Sequence, residues 1–234
     1  MTRVEWRCHD DPGEFAEAVA EEVSAIVRRS AGERGESLLA LPGGSTPRPV
    51  FCKLAAAALP WQAVTLIPTD ERLVEASSEL SNMRLLKESF AGTGARVVPI
   101  ACDETDVARA GDAADARMQE LPWPPALVWL GMGEDGHAAS IFSGPDLQAA
   151  LDASPARRAV GVRPDPLPPE APVARVTLTK SAIAAADALI VTITGDKKRA
   201  LLERALAEGS TSTLPIGRVL ADCRQPPTIH WCPA

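Results

Sequence analysis

Ala126–Leu130 reads ALVWL, five apolar residues in succession. A strand with one face in water alternates apolar and polar positions, so a strand apolar throughout needs cover on both faces. Further strand-like runs are expected at Ser37–Leu41, Val64–Pro68, Arg96–Ile100, Val173–Leu178, Ala188–Ile193 and Thr228–Trp231. Segments with helical spacing separate them. Pro12–Ser30 brings Phe15, Val19, Val23, Ile26 and Val27 toward one face of a helix. Leu80–Phe90, Asp103–Glu120 and part of Gly195–Glu208 are further predicted helices. Another is expected to start with Thr46 as its N-cap and Pro47 as its first helical residue, and to run to about Leu59. Strands that keep alternating with helices imply an α/β fold, a mostly parallel sheet with helices on both faces.

The 234 residues suit one large domain or two small ones. No internal repeat and no shift in composition marks a boundary, so residues 1–234 read as a single domain. Ser154–Pro172, which contains RPDPLPPEAP, is expected to be a rigid proline-rich loop.

Composition removes several functions. The net charge is -7, without a block of basic residues, which argues against a nucleic-acid partner. No segment approaches the roughly 20 apolar residues of a membrane span, and MTRVEWRCHD lacks a signal peptide's apolar stretch. Cys8, Cys52, Cys102, Cys223 and Cys232 are scattered and odd in number, with no C-x-x-C pair, which argues against a zinc cluster or a disulfide framework. The expectation is a soluble protein of a reducing cytoplasm, with no membrane and no obligatory protein partner.

Ligands of open parallel sheets bind beyond the carboxyl ends of the strands, and three loops expected there carry chemistry. In LPGGSTP, Gly43 and Gly44 allow close backbone approach, and Ser45 and Thr46 add hydroxyls. The following helix adds free N–H groups and a positive dipole end, so the loop suits a phosphate or carboxylate. It lacks the G-K-[ST] ending of a P-loop. A plain strand-to-helix turn is the alternative. In PTDERLV, Asp70, Glu71 and Arg72 follow one another, and neighbours in an extended chain point opposite ways, so not all three can face one site. Taken alone, this stretch reads as a solvated charged loop. In GMGEDGH, Asp135 can fix the tautomer of His137, whose ordinary pKa of about 6.5 suits proton transfer near neutrality. The string G-M-G-E-D-G fits G-x-G-x-x-G only superficially, because no early βαβ unit contains it.

LPGGSTP, TDER with Ser81-Asn82, and GMGEDGHAASIF, in this order, resemble 6-phosphogluconolactonases. RVTLT at Arg175–Thr179 and ITGDKKRALL at Ile193–Leu202 extend the resemblance over nearly the whole chain. That family shares a Rossmann-like α/β fold with glucosamine-6-phosphate deaminases. The deaminases continue the histidine loop into a segment with a ring-opening acid, where this chain has Ser140-Ile141-Phe142-Ser143-Gly144-Pro145. They also tend toward DEY, where this chain has Asp70-Glu71-Arg72. Ser143 and Glu75 stand where lactonases usually have prolines, departures that bear on loop stiffness.

The resemblance implies hydrolysis of 6-phospho-D-glucono-1,5-lactone, the second step of the oxidative pentose phosphate pathway, without a metal or an organic cofactor. It implies His137 as general base, oriented by Asp135, with Asp70 and Arg72 in the catalytic set. Arg72 would serve either the oxyanion or the phosphate. Gly43, Gly44, Ser45, Thr46 and Lys197 would hold the phosphate, with Lys198 the neighbour open to confusion with Lys197. Arg84, Lys180 and Arg218 are weaker candidates, better read as surface charge. His9 is expected to be exposed and His230 to be structural. Deamination of an amino-sugar phosphate, and a non-catalytic sugar-phosphate sensor, are the alternatives.

Overall fold

A computed structural model describes residues 3–101 and 104–234. Seven strands form one wholly parallel sheet. In chain order they are β1 (Glu5–Cys8), β2 (Ser37–Leu41), β3 (Val64–Pro68), β5 (Arg96–Val97), β6 (Leu127–Gly131), β9 (Leu189–Thr194) and β10 (Thr228–Cys232). Across the sheet the order is β1-β10-β9-β6-β2-β3-β5. From β2 the chain proceeds outward through β3 to β5, then returns to β6 on the other side of β2. The carboxyl ends of β2 and β6 therefore flank a topological switch point, where a crevice opens in open α/β sheets.

The sheet is covered on both faces, as its apolar strands require. Leu39 and Leu41 of β2 and Leu127 and Trp129 of β6 face one cluster. It is completed by α1 (Pro12–Arg34), α2 (Arg48–Ala56) and α3 (Asn82–Ser89). Leu38, Ala40, Val128 and Leu130, the alternate positions, face the other cluster. There they meet α4 (Val107–Gln119), α6 (Lys180–Ala184), α7 (Asp196–Glu208) and α8 (Pro215–Leu220). The short α5 (Leu147–Leu151) also joins this side.

A second, three-stranded antiparallel sheet packs into this latter cluster. Its order is β4 (Asp70–Arg72), β8 (Arg175–Leu178), β7 (Ala159–Val162). Two expectations change here. Asp70-Glu71-Arg72 is a strand and not a solvated loop, with Asp70 and Glu71 only 6% and 5% exposed. Part of the expected proline-rich loop is β7, because Ala159, Val160 and Val162 supply buried side chains that prolines on either side do not reveal. The strand expected from Val173 begins at Arg175 and belongs to this second sheet.

Smaller differences are local. Pro47, not Thr46, occupies the N-cap of α2, with no side-chain cap bond. α4 is capped by Asp106, which accepts from the Arg109 N–H; the expected start at Asp103, like Cys102, lies outside the described residues. No helix among the described residues is long and apolar enough to cross a membrane.

Candidate active site

The switch point holds a cleft of about 250 Å³. Its walls come from the loops after β2, β6 and β9 and from β4 and β8. Gly43, Gly44, Ser45, Thr46, Asp70, Arg72 and His137, all singled out in the sequence, line it together.

The loop after β2 supplies donors. Among the described residues, none of the Gly43, Gly44, Ser45 and Thr46 N–H groups donates a hydrogen bond within the chain. Gly43 is required by close packing: a Cβ there would lie 1.9 Å from Asn82 Oδ1. Asn82 in turn donates from Nδ2 to the Asp70 backbone carbonyl at 2.8 Å. The Ser81-Asn82 pair thus ties α3 to β4 beneath the glycine loop.

Strand alternation divides the three charged residues of β4, as extended geometry demands. Asp70 and Arg72 line the cleft, while Glu71 turns toward the start of α3. Its carboxylate accepts from the N–H groups of Arg72, Asn82 and Met83 at 2.8, 2.8 and 2.7 Å, and from Ser81 Oγ at 3.1 Å. Burial raises its pKa above the ordinary glutamate value, against the pull of those backbone donors. Asp70 accepts a short hydrogen bond from Ser140 Oγ, which fastens the histidine loop to β4. The Ser140 N–H donates to Thr177 Oγ1 of β8 at 3.2 Å, a second fastening.

His137 Nδ1 lies 2.5 Å from Asp135 Oδ1, and the His137 backbone N–H donates to the same oxygen at 3.1 Å. Burial pushes the Asp135 carboxyl up, but the hydrogen bond and charge of His137 outweigh it and hold the pKa below the ordinary value. An ionised Asp135 accepts a proton-bearing Nδ1 and leaves Nε2 as the nitrogen free to act. Nε2 has no hydrogen-bond partner among the described residues, and the imidazole is one wall of the cleft. Gly133 makes room for it: a Cβ at that position would lie 2.2 Å from the ring.

Two arginines of the antiparallel sheet also line the cleft. Arg72 and Arg175 stand directly opposite one another across the β4–β8 pair. Like charges so placed repel, and neither has a salt bridge among the described residues. Both Nε atoms are buried without a partner. Arg72 donates to the Leu80 carbonyl at 2.6 Å and Arg175 to the Ala171 carbonyl at 3.0 Å. Burial lowers the Arg175 pKa, with the Asp70 charge acting the other way. Arg175 was expected only as part of RVTLT and not as a site residue; the missing signal is the second sheet, which alone brings β8 beside β4.

Lys198, rather than Lys197, reaches the cleft. Lys197 points outward and pairs with Glu134 at 2.5 Å, its side chain 71% exposed. The first turn of α7 puts consecutive residues about 100° apart, so only one of the two can face inward. Thr192 and Thr194 of β9, not singled out in the sequence, also line the cleft, and the Thr192 hydroxyl accepts from Trp129 Nε1 at 2.9 Å. Arg84, Lys180 and Arg218 contact Glu88, Asp222 and Gln148 and do not line the cleft. His9 is buried, not exposed, and bonds His230 ring to ring at 3.0 Å. Among the described residues, no group of three or more His, Cys, Asp or Glu is arranged to hold a metal ion.

Comparison with known proteins gives the family. Residues 10–231 match the family model described as glucosamine-6-phosphate isomerases/6-phosphogluconolactonase. The chain is 35% identical over 232 residues to a 6-phosphogluconolactonase of Mesorhizobium japonicum, covering 97% of this chain and 95% of the relative. It is 34% identical to one of Pseudomonas aeruginosa, covering 94% and 91%. A crystal structure of a 6-phosphogluconolactonase from Shewanella baltica superposes with a TM-score of 0.89 at 28% identity, covering 98% of this chain and 97% of that one.

Proposed function

Since the chain belongs to the glucosamine-6-phosphate isomerase/6-phosphogluconolactonase family, we propose that it hydrolyses 6-phospho-D-glucono-1,5-lactone to 6-phosphogluconate. The observation that carries this reading is the pairing of a histidine, its Nδ1 held by Asp135, with two arginines that line the same cleft and have no salt bridge among the described residues. A base and nearby cations are what ester hydrolysis of an anionic substrate requires.

His137 Nε2 takes a proton from water as the water oxygen bonds to C1, and the carbonyl becomes a tetrahedral oxyanion. Arg72 and Arg175 stabilise that negative charge. As the oxyanion collapses, the bond from C1 to the ring oxygen breaks. The imidazolium returns its proton to that oxygen, which becomes the C5 hydroxyl. C1 is left as a carboxylic acid that ionises into water. A general base contributes about 10²–10⁴ in rate, and an oxyanion donor about 10²–10³.

The phosphate lies against the free N–H groups and hydroxyls of Gly43–Thr46, with Lys198 supplying charge. This assignment replaces Lys197, which Glu134 neutralises. Asp70 keeps its place in the catalytic set as an anchor: it grips Ser140 and so fixes the loop that carries His137.

Proton release on adding freshly prepared 6-phosphogluconolactone tests the proposal, with an enzyme-free blank because the lactone also opens unaided. Wild type is expected to exceed the blank, and His137→Ala to lose about 10²-fold or more in kcat while remaining folded. A folded wild type that only matches the blank defeats the lactonase assignment. A folded H137A with near-normal turnover defeats the assignment of the base.

A further inference from the structure

The histidine loop has a feature that binding and proton transfer leave unexplained. After His137 the chain turns back on itself. Ala138 and Ile141 form an isolated antiparallel bridge, and the Ile141 N–H donates to the Ala138 carbonyl at 2.9 Å. Ala139, inside this turn, has φ of +50°, the one non-glycine residue with positive φ among the described residues. A left-handed alanine costs roughly 1 kcal/mol or more, and such outliers persist only where surrounding structure enforces them. Here Ser140 enforces it, through Asp70 on one side and Thr177 on the other.

The turn delivers Phe142 onto the catalytic ring. The centroids of His137 and Phe142 are 4.1 Å apart with an interplanar angle of 31°, a close, tilted contact. The guanidinium of Arg175 lies 5.0 Å from the same phenyl centroid. A phenyl face carries partial negative charge and attracts cations within about 6 Å. Phe142 therefore touches two groups that are cationic during the reaction: Arg175 throughout, and His137 once it has taken the proton from water.

We propose that Phe142 is a positioning residue for this reaction, its ring fixing the plane of the His137 imidazole and favouring the imidazolium that forms as water attacks. Asp135 holds the imidazole at one nitrogen only, which leaves the ring free to swing about that bond. Phe142 removes this freedom, with Gly133 leaving room for the ring in that pose. Its contribution grows as charge develops on His137, so it acts on the chemical step more than on ground-state binding. The inference rests on His137 being the base, as proposed above.

The test compares wild type, Phe142→Leu and Phe142→Tyr. Leucine keeps apolar bulk and loses the aromatic face; tyrosine keeps the face. Steady-state proton release on 6-phosphogluconolactone gives kcat and KM, and NMR of the His137 ring protons reports the stacking independently of turnover. F142L is expected to lose about 5- to 30-fold in kcat, with KM within about 2-fold and the ring-current shift of His137 abolished. F142Y is expected to recover both kcat and the shift. A lost shift with unchanged kcat in F142L overturns the proposal, as does a rise in KM at constant kcat, or a folded F142Y as impaired as F142L. Wild-type turnover no faster than the blank overturns the lactonase reading itself, and the NMR arm then still reports whether the rings stack.

Discussion

Neighbouring residues at this site do different work because the backbone turns between them. Lys197 and Lys198 are chemically identical, yet one faces solvent and Glu134 while the other faces the cleft. Lys198→Met is expected to raise KM about 10- to 100-fold, the range for losing a charge-assisted hydrogen bond, with kcat less affected. Lys197→Met is expected to stay within about 2-fold of wild type. Equal effects in the two variants would show that the phosphate does not distinguish them. The sequence singled out the pair but not the member, since a motif specifies spacing and not the phase of the helix that begins there. Asp135 and His137 were readable as a unit because two residues within one turn are bound to be close. Arg175 was not: it reaches Arg72 only through strand pairing between segments far apart in the chain.

At the scale of elements, the first turn of α3 is built around one buried carboxylate. Glu71 satisfies the N–H groups of Asn82 and Met83, which a helix start would otherwise leave unpaired, and also that of Arg72. Glu71→Ala strands these donors and is expected to cost about 2–3 kcal/mol, the sum of a lost cap and lost hydrogen bonds to a charged acceptor. Urea unfolding checks it; a loss below about 0.5 kcal/mol would mean that water replaces the carboxylate freely. Much of the parallel sheet was legible in the sequence, because Leu38–Leu41 and Leu127–Leu130 are apolar at every position and only a doubly covered strand tolerates that. The antiparallel sheet was not. β4 is three charged residues, and β7 lies within a proline-rich stretch, so neither carries the apolar signature of a strand. Both are held by pairing with β8, β7 also by packing on α4 and β4 by its ties to α3.

Across the whole molecule, a second cluster of ionisable groups lies away from the cleft. His230 Nε2 meets Glu22 Oε2 at 2.8 Å, and Arg7 meets the same oxygen at 2.6 Å. Burial lowers the His9 pKa from 6.5, with the His230 charge acting in the same direction and Glu14 and Asp10 opposing. The unfolded chain therefore binds the His9 proton first, and stability falls as pH drops below about 6.5 toward the folded value. For Glu22, burial raises the pKa but His230 and Arg7 outweigh it and bring it below 4.5, so its stabilisation is lost further down, as pH falls below that value. His9→Gln, which keeps a donor toward His230, is expected to flatten the fall in Tm between pH 7 and 5. An unchanged slope would place the proton uptake elsewhere.

Pairing of β1 with β10 joins His9 to a residue 221 positions away. Glu5–Cys8 is translated before the other strands described, yet among them its one partner in the sheet is β10, translated after all the rest. Until β10 is made, that edge of β1 waits unpaired. Emergence of β10 from the exit tunnel, and not the appearance of the histidine loop, is then what lets the sheet close.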